Sequence, residues 1–168
     1  ISEGLAWAWR SLSPNKPYQD GKAYGTTGLQ KVIVLMTDGV NELIDNGNNS
    51  AGYNTANVSD YSAYGYLGGA RLWSTNNVQT YAKFNTLMDN RLTAACTAAK
   101  NAGVIIYTVV FNHTGYLTTA QQTAAQDLLK NCASKTTYSY VATDSASLQS
   151  AFSAIAVSAT SGTLRLVQ

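Results

Sequence analysis

The amino-acid sequence predicts an α/β domain with a parallel central sheet. Apolar, β-branched runs at 31–37, 104–111 and 138–142 alternate with segments of helical periodicity. This alternation is typical of parallel strands joined by right-handed crossovers. The length of 168 residues suits one domain with a real core. Three strands are few for such a sheet, so we expect its N-terminal strands to lie upstream of Ile1.

The first half of the chain predicts one helix, one strand and a long polar tract. Residues 2–12 are helical in pattern, and Pro14 stops them. The continuous apolar run of strand 31–37 predicts burial on both faces. The tract at about 42–82 is rich in Asn, Ser, Gly and Tyr and has little periodicity. Loops of this length are usually functional or disordered.

The second half of the chain predicts the remaining helices and strands. Apolar residues within 84–102 recur at helical spacing. Gly103 is placed to end that helix. The later predicted elements are a strand at 104–111, a helix at 119–133 with Thr118 or Thr119 as its cap, a strand at 138–142 and a helix at 147–159.

Composition excludes several classes of protein. Charged residues make up 12% of the chain, about half the usual share, and Asn, Ser, Thr, Gly and Tyr replace them. Such a composition is typical of exported bacterial surface proteins. A net charge of +2 without a Lys/Arg cluster argues against nucleic acid or an anionic membrane as principal partner. Any export signal or membrane anchor is expected upstream of Ile1.

The two cysteines, Cys96 and Cys132, are too few and too far apart for a zinc site. Each lies in a predicted helix, and these helices flank the strand at 104–111. We expect one disulfide if the protein is extracytoplasmic. Two buried free thiols are the alternative.

A polar turn follows the first predicted strand. Thr37, Asp38 and Gly39 fall at its carboxyl end, where open α/β sheets place their ligand sites. A carboxylate there is a reasonable ligand for Mg²⁺. The alternative is that Asp38 caps a following turn or helix.

Motifs of catalysis are missing from the sequence. His113 follows a strand end, and Asp38 could share its sheet edge, so a hydrolase using both is one hypothesis. No Gly-x-Ser-x-Gly elbow, Walker loop or Gly-x-Gly-x-x-Gly occurs, however. We therefore expect no enzyme.

Aromatic residues are interleaved with Asn and Ser in the tract at 42–82. This mixture resembles binding loops, in which Tyr gives a large contact area at low entropic cost. The alternative is an ordered surface elaboration whose aromatic side chains pack back on the domain. The candidate binding residues are Tyr53, Tyr61, Tyr64, Tyr66 and Trp73.

Several motifs occur together in an order that resembles a known family. They are a Trp-rich helix ending in Leu-Ser-Pro (Gly4 to Pro14), Thr37-Asp38-Gly39, Cys96-x-x-x-Lys100 before Gly103-Val104, Cys132-Ala-Ser134 and Leu164-Arg-Leu166. The chain thereby resembles a Rossmann-like von Willebrand factor type A domain. More narrowly, it is similar to the C-terminal A domain of TadG-like proteins, which assemble Tad-type (Flp) pili.

The resemblance implies an incomplete metal-ion-dependent adhesion site. The family's site has an Asp-x-Ser-x-Ser loop, a Thr and an Asp, and only the last maps here, onto Asp38. The Thr would fall just before Ile1. Residues 1–168 therefore look like the C-terminal part of a single A domain with an insertion at about 42–82. The intact domain is expected to take Mg²⁺ or another divalent cation, and this part to bind it weakly or not at all.

The function implied is non-catalytic protein binding in a membrane-anchored pilus-assembly protein, at the periplasm or cell surface. A metal-independent structural assembly module is the alternative. Because the family's first strand would precede Ile1, the edge of strand 32–37 is expected to need a cover. A dimer, a bound N-terminal fragment or the 42–82 tract would supply it.

Overall fold

The computed structural model describes residues 1–42, 61–66, 81–112 and 117–161. Within these ranges it contains four α-helices and three strands in the predicted alternation. They are α1 (Ser2–Leu12), β1 (Val32–Thr37), α2 (Tyr81–Asn101), β2 (Ile105–Phe111), α3 (Thr119–Cys132), β3 (Ser139–Ala142) and α4 (Ser145–Ser161), with a 3₁₀ turn at Thr136–Tyr138. The predictions for Tyr53, Trp73, His113 and Leu164–Leu166 fall outside the described residues.

The three strands form one parallel sheet in the order β1-β2-β3. Val32 aligns with Ile105 in the first pair, and Thr108 aligns with Ser139 in the second. This confirms an α/β fold with an open parallel sheet, compatible with a Rossmann-like arrangement. The larger core lies on one face, beneath α1, α2 and α3, and consists of Leu5, Ile33, Leu35, Leu92, Cys96, Ala99, Val104, Ile106, Val110, Ala125, Leu129 and Cys132.

A smaller core lies on the other face of the sheet, beneath α4. Tyr107 and Val109 of β2 are buried there together with Ile155 of α4. They belong to this face because successive side chains of a strand point to opposite sides. The helix packs over β2 and β3, and from β1 the partly buried Val32 also contacts this core.

The side chains of β1 alternate between buried and exposed. Ile33 and Leu35 are buried in the larger core, whereas Val34 and Met36 are 40% and 42% exposed on the opposite face. The prediction of a strand buried on both faces is therefore wrong for the described part of the chain. The physical reason is the position of α4, which packs on β2 and β3, so that on this face of β1 Val32 contacts the smaller core whereas Val34 and Met36 stay exposed.

The chain divides into two compact units. The first comprises Ile1–Val40 and Leu92–Gln168 and contains the sheet. The second comprises Asn41–Arg91, which includes the whole of the Tyr- and Asn-rich tract. In the second unit, the side-chain amide of Asn41 donates a hydrogen bond of 2.9 Å to the carboxylate of Asp89.

Local hydrogen bonds explain where the helices begin and end. Gly103 adopts a φ of 84°, and its N–H donates to the carbonyl oxygen of Lys100. The N–H of Val104 donates to the carbonyl oxygen of Ala99, which completes the Schellman pattern at the end of α2. Thr118 caps α3 in a capping box with Gln121.

Candidate functional site at the carboxyl edge of the sheet

The carboxyl ends of the parallel strands lie at one edge of the sheet. Asp38 directly follows β1 and therefore lies at this edge. The Thr37 hydroxyl accepts the Gly39 N–H at 3.2 Å and donates to the Gly39 carbonyl oxygen at 3.0 Å. These bonds fix the turn that carries Asp38. The Asp38 side chain is exposed, and in the described part of the chain it has no hydrogen-bond or ion-pair partner. Its carboxylate is available to a ligand from outside.

Asn112 follows β2 at the same edge and was missed by the sequence analysis as a candidate. Its N–H donates to the carbonyl oxygen of Ala142 at 2.7 Å, and its side-chain amide donates to Gln122 at 2.9 Å. Gln122 in turn donates to the carbonyl oxygen of Leu117 at 3.0 Å. The Asn112 side-chain oxygen is buried without a partner among the described residues. The position directly after a strand was the signal that could have identified it.

Asp144 follows β3 and is occupied as a helix cap. Its carboxylate accepts the Ser147 N–H and the Ser147 hydroxyl, each at 2.7 Å. The Ser147 oxygen also accepts the N–H of Thr143 at 3.0 Å. The hydrogen bonds from Ser147 hold the pKa of Asp144 below its usual value. This cap explains why α4 begins at Ser145, two residues before the predicted start.

The residues at this edge do not by themselves make a Mg²⁺ site. Magnesium requires about six oxygen ligands in octahedral geometry, usually including a carboxylate and waters. Asp38 supplies one free carboxylate, whereas Asp144 is engaged in its cap. The described residues include no group of three or more His, Cys, Asp or Glu side chains that could hold a metal ion. Further protein ligands would have to come from outside these ranges.

A disulfide joins α2 to α3 in the first unit. The sulfur atoms of Cys96 and Cys132 are bonded at 2.00 Å, and their Cα atoms lie 5.2 Å apart. Both residues are buried, so the bond is part of the larger core. The predicted disulfide is confirmed, and the alternative of two free thiols is wrong.

Lys100 and Ser134 attach the end of α3 to its surroundings. The Lys100 ammonium donates to the carbonyl oxygens of Asn131 at 2.9 Å and Ala133 at 3.4 Å. The Ser134 hydroxyl accepts the N–H of Ile106, and the Ser134 N–H donates to the Ile106 carbonyl oxygen, both at 2.9 Å. Ser134 thus satisfies the backbone of β2 just before the pairing with β3 begins.

The described tyrosines of the second unit have different environments. Tyr64 contacts the ring of Phe84 edge-on at 6.1 Å between centroids, and the Arg91 guanidinium lies 5.4 Å from the Tyr64 ring centre. Tyr61 is 65% exposed and meets Tyr66 edge-on at 5.0 Å. Tyr61 is therefore largely open to solvent, whereas Tyr64 packs within its own unit.

Lys31, directly before β1, is a buried cation whose role was not predicted from the sequence. Its side chain is 8% exposed, and its ammonium donates to the carbonyl oxygens of Leu12 and Lys22. The ammonium also lies 4.1 Å from the ring centre of Tyr24. Lys31 therefore fastens the segment after α1 to the start of the sheet.

Comparisons with protein-family models, with curated proteins and with solved structures found no match for this chain. Among the helices that the structure describes, none combines the length and apolar character needed to cross a membrane.

Proposed function

We propose that the chain is a non-catalytic protein-binding domain of the cell envelope. We further propose that it is of the von Willebrand factor A type and similar to the A domain of TadG-like pilus-assembly proteins. The order of elements, the Asp38 turn after β1 and the quoted motifs support this assignment. The disulfide is compatible with an oxidising compartment such as the periplasm or cell surface.

The observation that carries the proposal is the edge of β1. Among the described strands, only β2 pairs with β1, so within this part of the chain the other edge of β1 leaves its backbone N–H and C=O groups for a further strand. The Val32–Thr37 segment has no charged residue and no proline, the usual devices that protect an open edge. Val34 and Met36 add exposed apolar side chains beside it.

A second polypeptide that adds a strand at this edge would gain backbone hydrogen bonds and apolar contact together. The first occupant to test is another copy of the chain, because nothing in β1 opposes self-pairing. A strand from another envelope protein or from an N-terminal fragment would use the same hydrogen bonds. In each case the function is assembly rather than catalysis.

Sedimentation velocity over a range of concentrations tests the use of this edge. The wild-type chain should associate, and Val34→Lys and Met36→Lys should remain monomeric because each places a charge beside the pairing edge. Val157→Lys is the matched control, since Val157 is 68% exposed and belongs to α4, which packs on β3 and β2. Association that survives both β1 variants would contradict binding through this edge.

Metal dependence separates the leading hypothesis from its alternative. In the leading hypothesis, Asp38 and ligands from outside the described residues bind a divalent cation in the intact protein, and the partner contacts that face. In the alternative, the fold is a metal-independent assembly module. Asp144 is engaged in its cap and is not among the ligands of either hypothesis.

Calorimetric titration of the intact protein with Mg²⁺ and Mn²⁺ decides between the two, with Asp38→Ala as the test variant. Binding heat lost in Asp38→Ala supports the metal-dependent form. Partner binding that is unchanged by a chelating agent supports the structural module. Turnover that is abolished by His113→Ala would contradict both, since it would make the protein an enzyme.

A further inference from the structure

A cleft of about 360 Å³ lies in the first unit, between α1, α2 and the segment that follows α1. Its apolar wall consists of Ala6, Trp9, Tyr24 and Ala95. The two alanines leave space between the helices, and the two aromatic rings bound that space. The volume falls within the range of small-molecule sites, which are mostly apolar with a few placed polar groups.

Arg10 is an exposed residue that contributes a positive charge to the lining of this cleft. Its guanidinium carbon lies 4.8 Å from the ring centre of Trp7, which in turn meets Tyr18 edge-on at 6.1 Å. Stacking on an aromatic face leaves the in-plane N–H donors of an arginine open to a planar anion. Because Trp7 restricts the guanidinium beforehand, a ligand loses less entropy in binding it.

The polar lining of the cleft favours an anion. In the described part of the chain, Arg10 has no carboxylate partner, and no Asp or Glu lines the cleft. Ser13 and Asn15 also line the cleft and add neutral polar groups to it. Within the described residues, a ligand with one carboxylate therefore meets a cation that has no carboxylate partner, and it meets no like charge.

We propose that this cleft binds a small organic acid with a flat apolar body. The carboxylate pairs bidentately with Arg10, and the body packs between the rings of Trp9 and Tyr24. The site is independent of Asp38 and of the β1 edge, so it can exist whether or not the assembly function is correct.

The test uses 3-phenylpropionate as probe and its neutral amide, 3-phenylpropionamide, as the matched control. Binding to the whole chain is followed by the indole N–H resonance of Trp9, assigned by its loss in Trp9→Phe. We expect saturable shifts with the acid, with a Kd of roughly 1 mM or tighter for a ligand of this size. The amide should bind about tenfold more weakly, because it cannot form the charged pair.

Two substitutions distinguish the contribution of the Arg10 charge to ligand binding from that of the cleft volume. Arg10→Gln should weaken the acid about tenfold and leave the amide unchanged. Ala95→Leu should fill the cleft and abolish binding of both probes. Lys130→Gln, an exposed change on α3 that removes the same charge, should alter neither. Equal affinity for acid and amide, no shift of the Trp9 resonance at saturating acid, or unaltered binding in Arg10→Gln would overturn the proposal.

Discussion

The ammonium of Lys100, on α2, lies 2.9 Å from the carbonyl oxygen of Asn131 in the last turn of α3 and donates a hydrogen bond to it. Helix C-termini carry carbonyl groups without intrahelical partners and a partial negative charge. The Lys100 ammonium donates to these carbonyl groups and also neutralises the partial negative charge. Lys100 lies one helical turn after Cys96, whose disulfide is bonded to the same end of α3. The Cys-x-x-x-Lys spacing therefore places two connections to α3 on one face of α2.

Removal of the Lys100 ammonium should lower stability. Lys100→Met retains most of the aliphatic stem but leaves the α3 carbonyls without their donor, and the expected loss is about 1 kcal/mol in the free energy of unfolding. Urea denaturation measures it. Lys22→Met, at an exposed position in the segment after α1 and away from any helix end, is the control and should change stability by less than about 0.5 kcal/mol. Equal effects of the two variants would contradict a specific role for Lys100.

The disulfide should contribute more than any single hydrogen bond. Cys96 and Cys132 are separated by 36 positions, and the chain-entropy relation for such a loop gives roughly 3–4 kcal/mol. The double variant Cys96→Ala, Cys132→Ala should lose about that amount in urea denaturation. Mass spectrometry of the native protein after alkylation without reductant should find both thiols protected. Two alkylated cysteines would contradict the bond.

Gly21 should not tolerate a side chain. A Cβ at this position would overlap the Leu12 carbonyl group and lie 2.7 Å from the carbonyl oxygen of Ser13. Both obstacles are backbone atoms, so Gly21→Ala should destabilise the fold by about 1–3 kcal/mol. Gly4→Ala is the matched control, because its Cβ meets nothing within 4 Å inside α1. Thermal unfolding should show Gly4→Ala stabilised by about 0.5–1 kcal/mol instead.

The cap at Asp144 should make part of the stability acid-sensitive. Because Ser147 lowers the pKa of the folded carboxyl, the unfolded chain binds a proton at higher pH than the folded one. The stabilisation is thus full above the unfolded pKa of about 3.9 and is lost as pH falls through the folded value. Asp144→Asn retains a capping oxygen but cannot ionise, so its Tm should fall less steeply with acid.

Melting curves between about pH 6 and pH 2 check this difference. Asp127→Asn, at an exposed position of α3, controls for the loss of one negative charge. A Tm profile of Asp144→Asn that runs parallel to the wild-type profile over this range would show that the cap carries no proton-linked stability.

The features predictable from the sequence are those set by local chemistry. Gly103 ends α2 because only the backbone beside it decides the left-handed turn, and Thr118 begins α3 through its own hydroxyl. The disulfide was predictable because both cysteines lie on helices that flank one strand. Asp38 was likewise placed correctly, since the end of an apolar strand defines its position.

The features that escaped prediction depend on distant parts of the chain. The apolar run of β1 does not reveal that Val34 and Met36 face a side of the sheet that α4 leaves uncovered. Asn112 becomes notable only when Gln122 and Ala142 engage its other groups. The periodicity of a strand reports which residues can be buried, whereas the packing of other elements decides which ones are.

The manner in which Lys31 is held has a consequence for partly unfolded states. Its partners are two carbonyl oxygens and an aromatic ring, none of which gains a proton in the ordinary acid range. The attachment of the segment after α1 is therefore insensitive to the protonation that releases the Asp144 cap. In acid, we expect the C-terminal helix to fray while the N-terminal helix and its following segment stay docked, so that the chain loosens from one end.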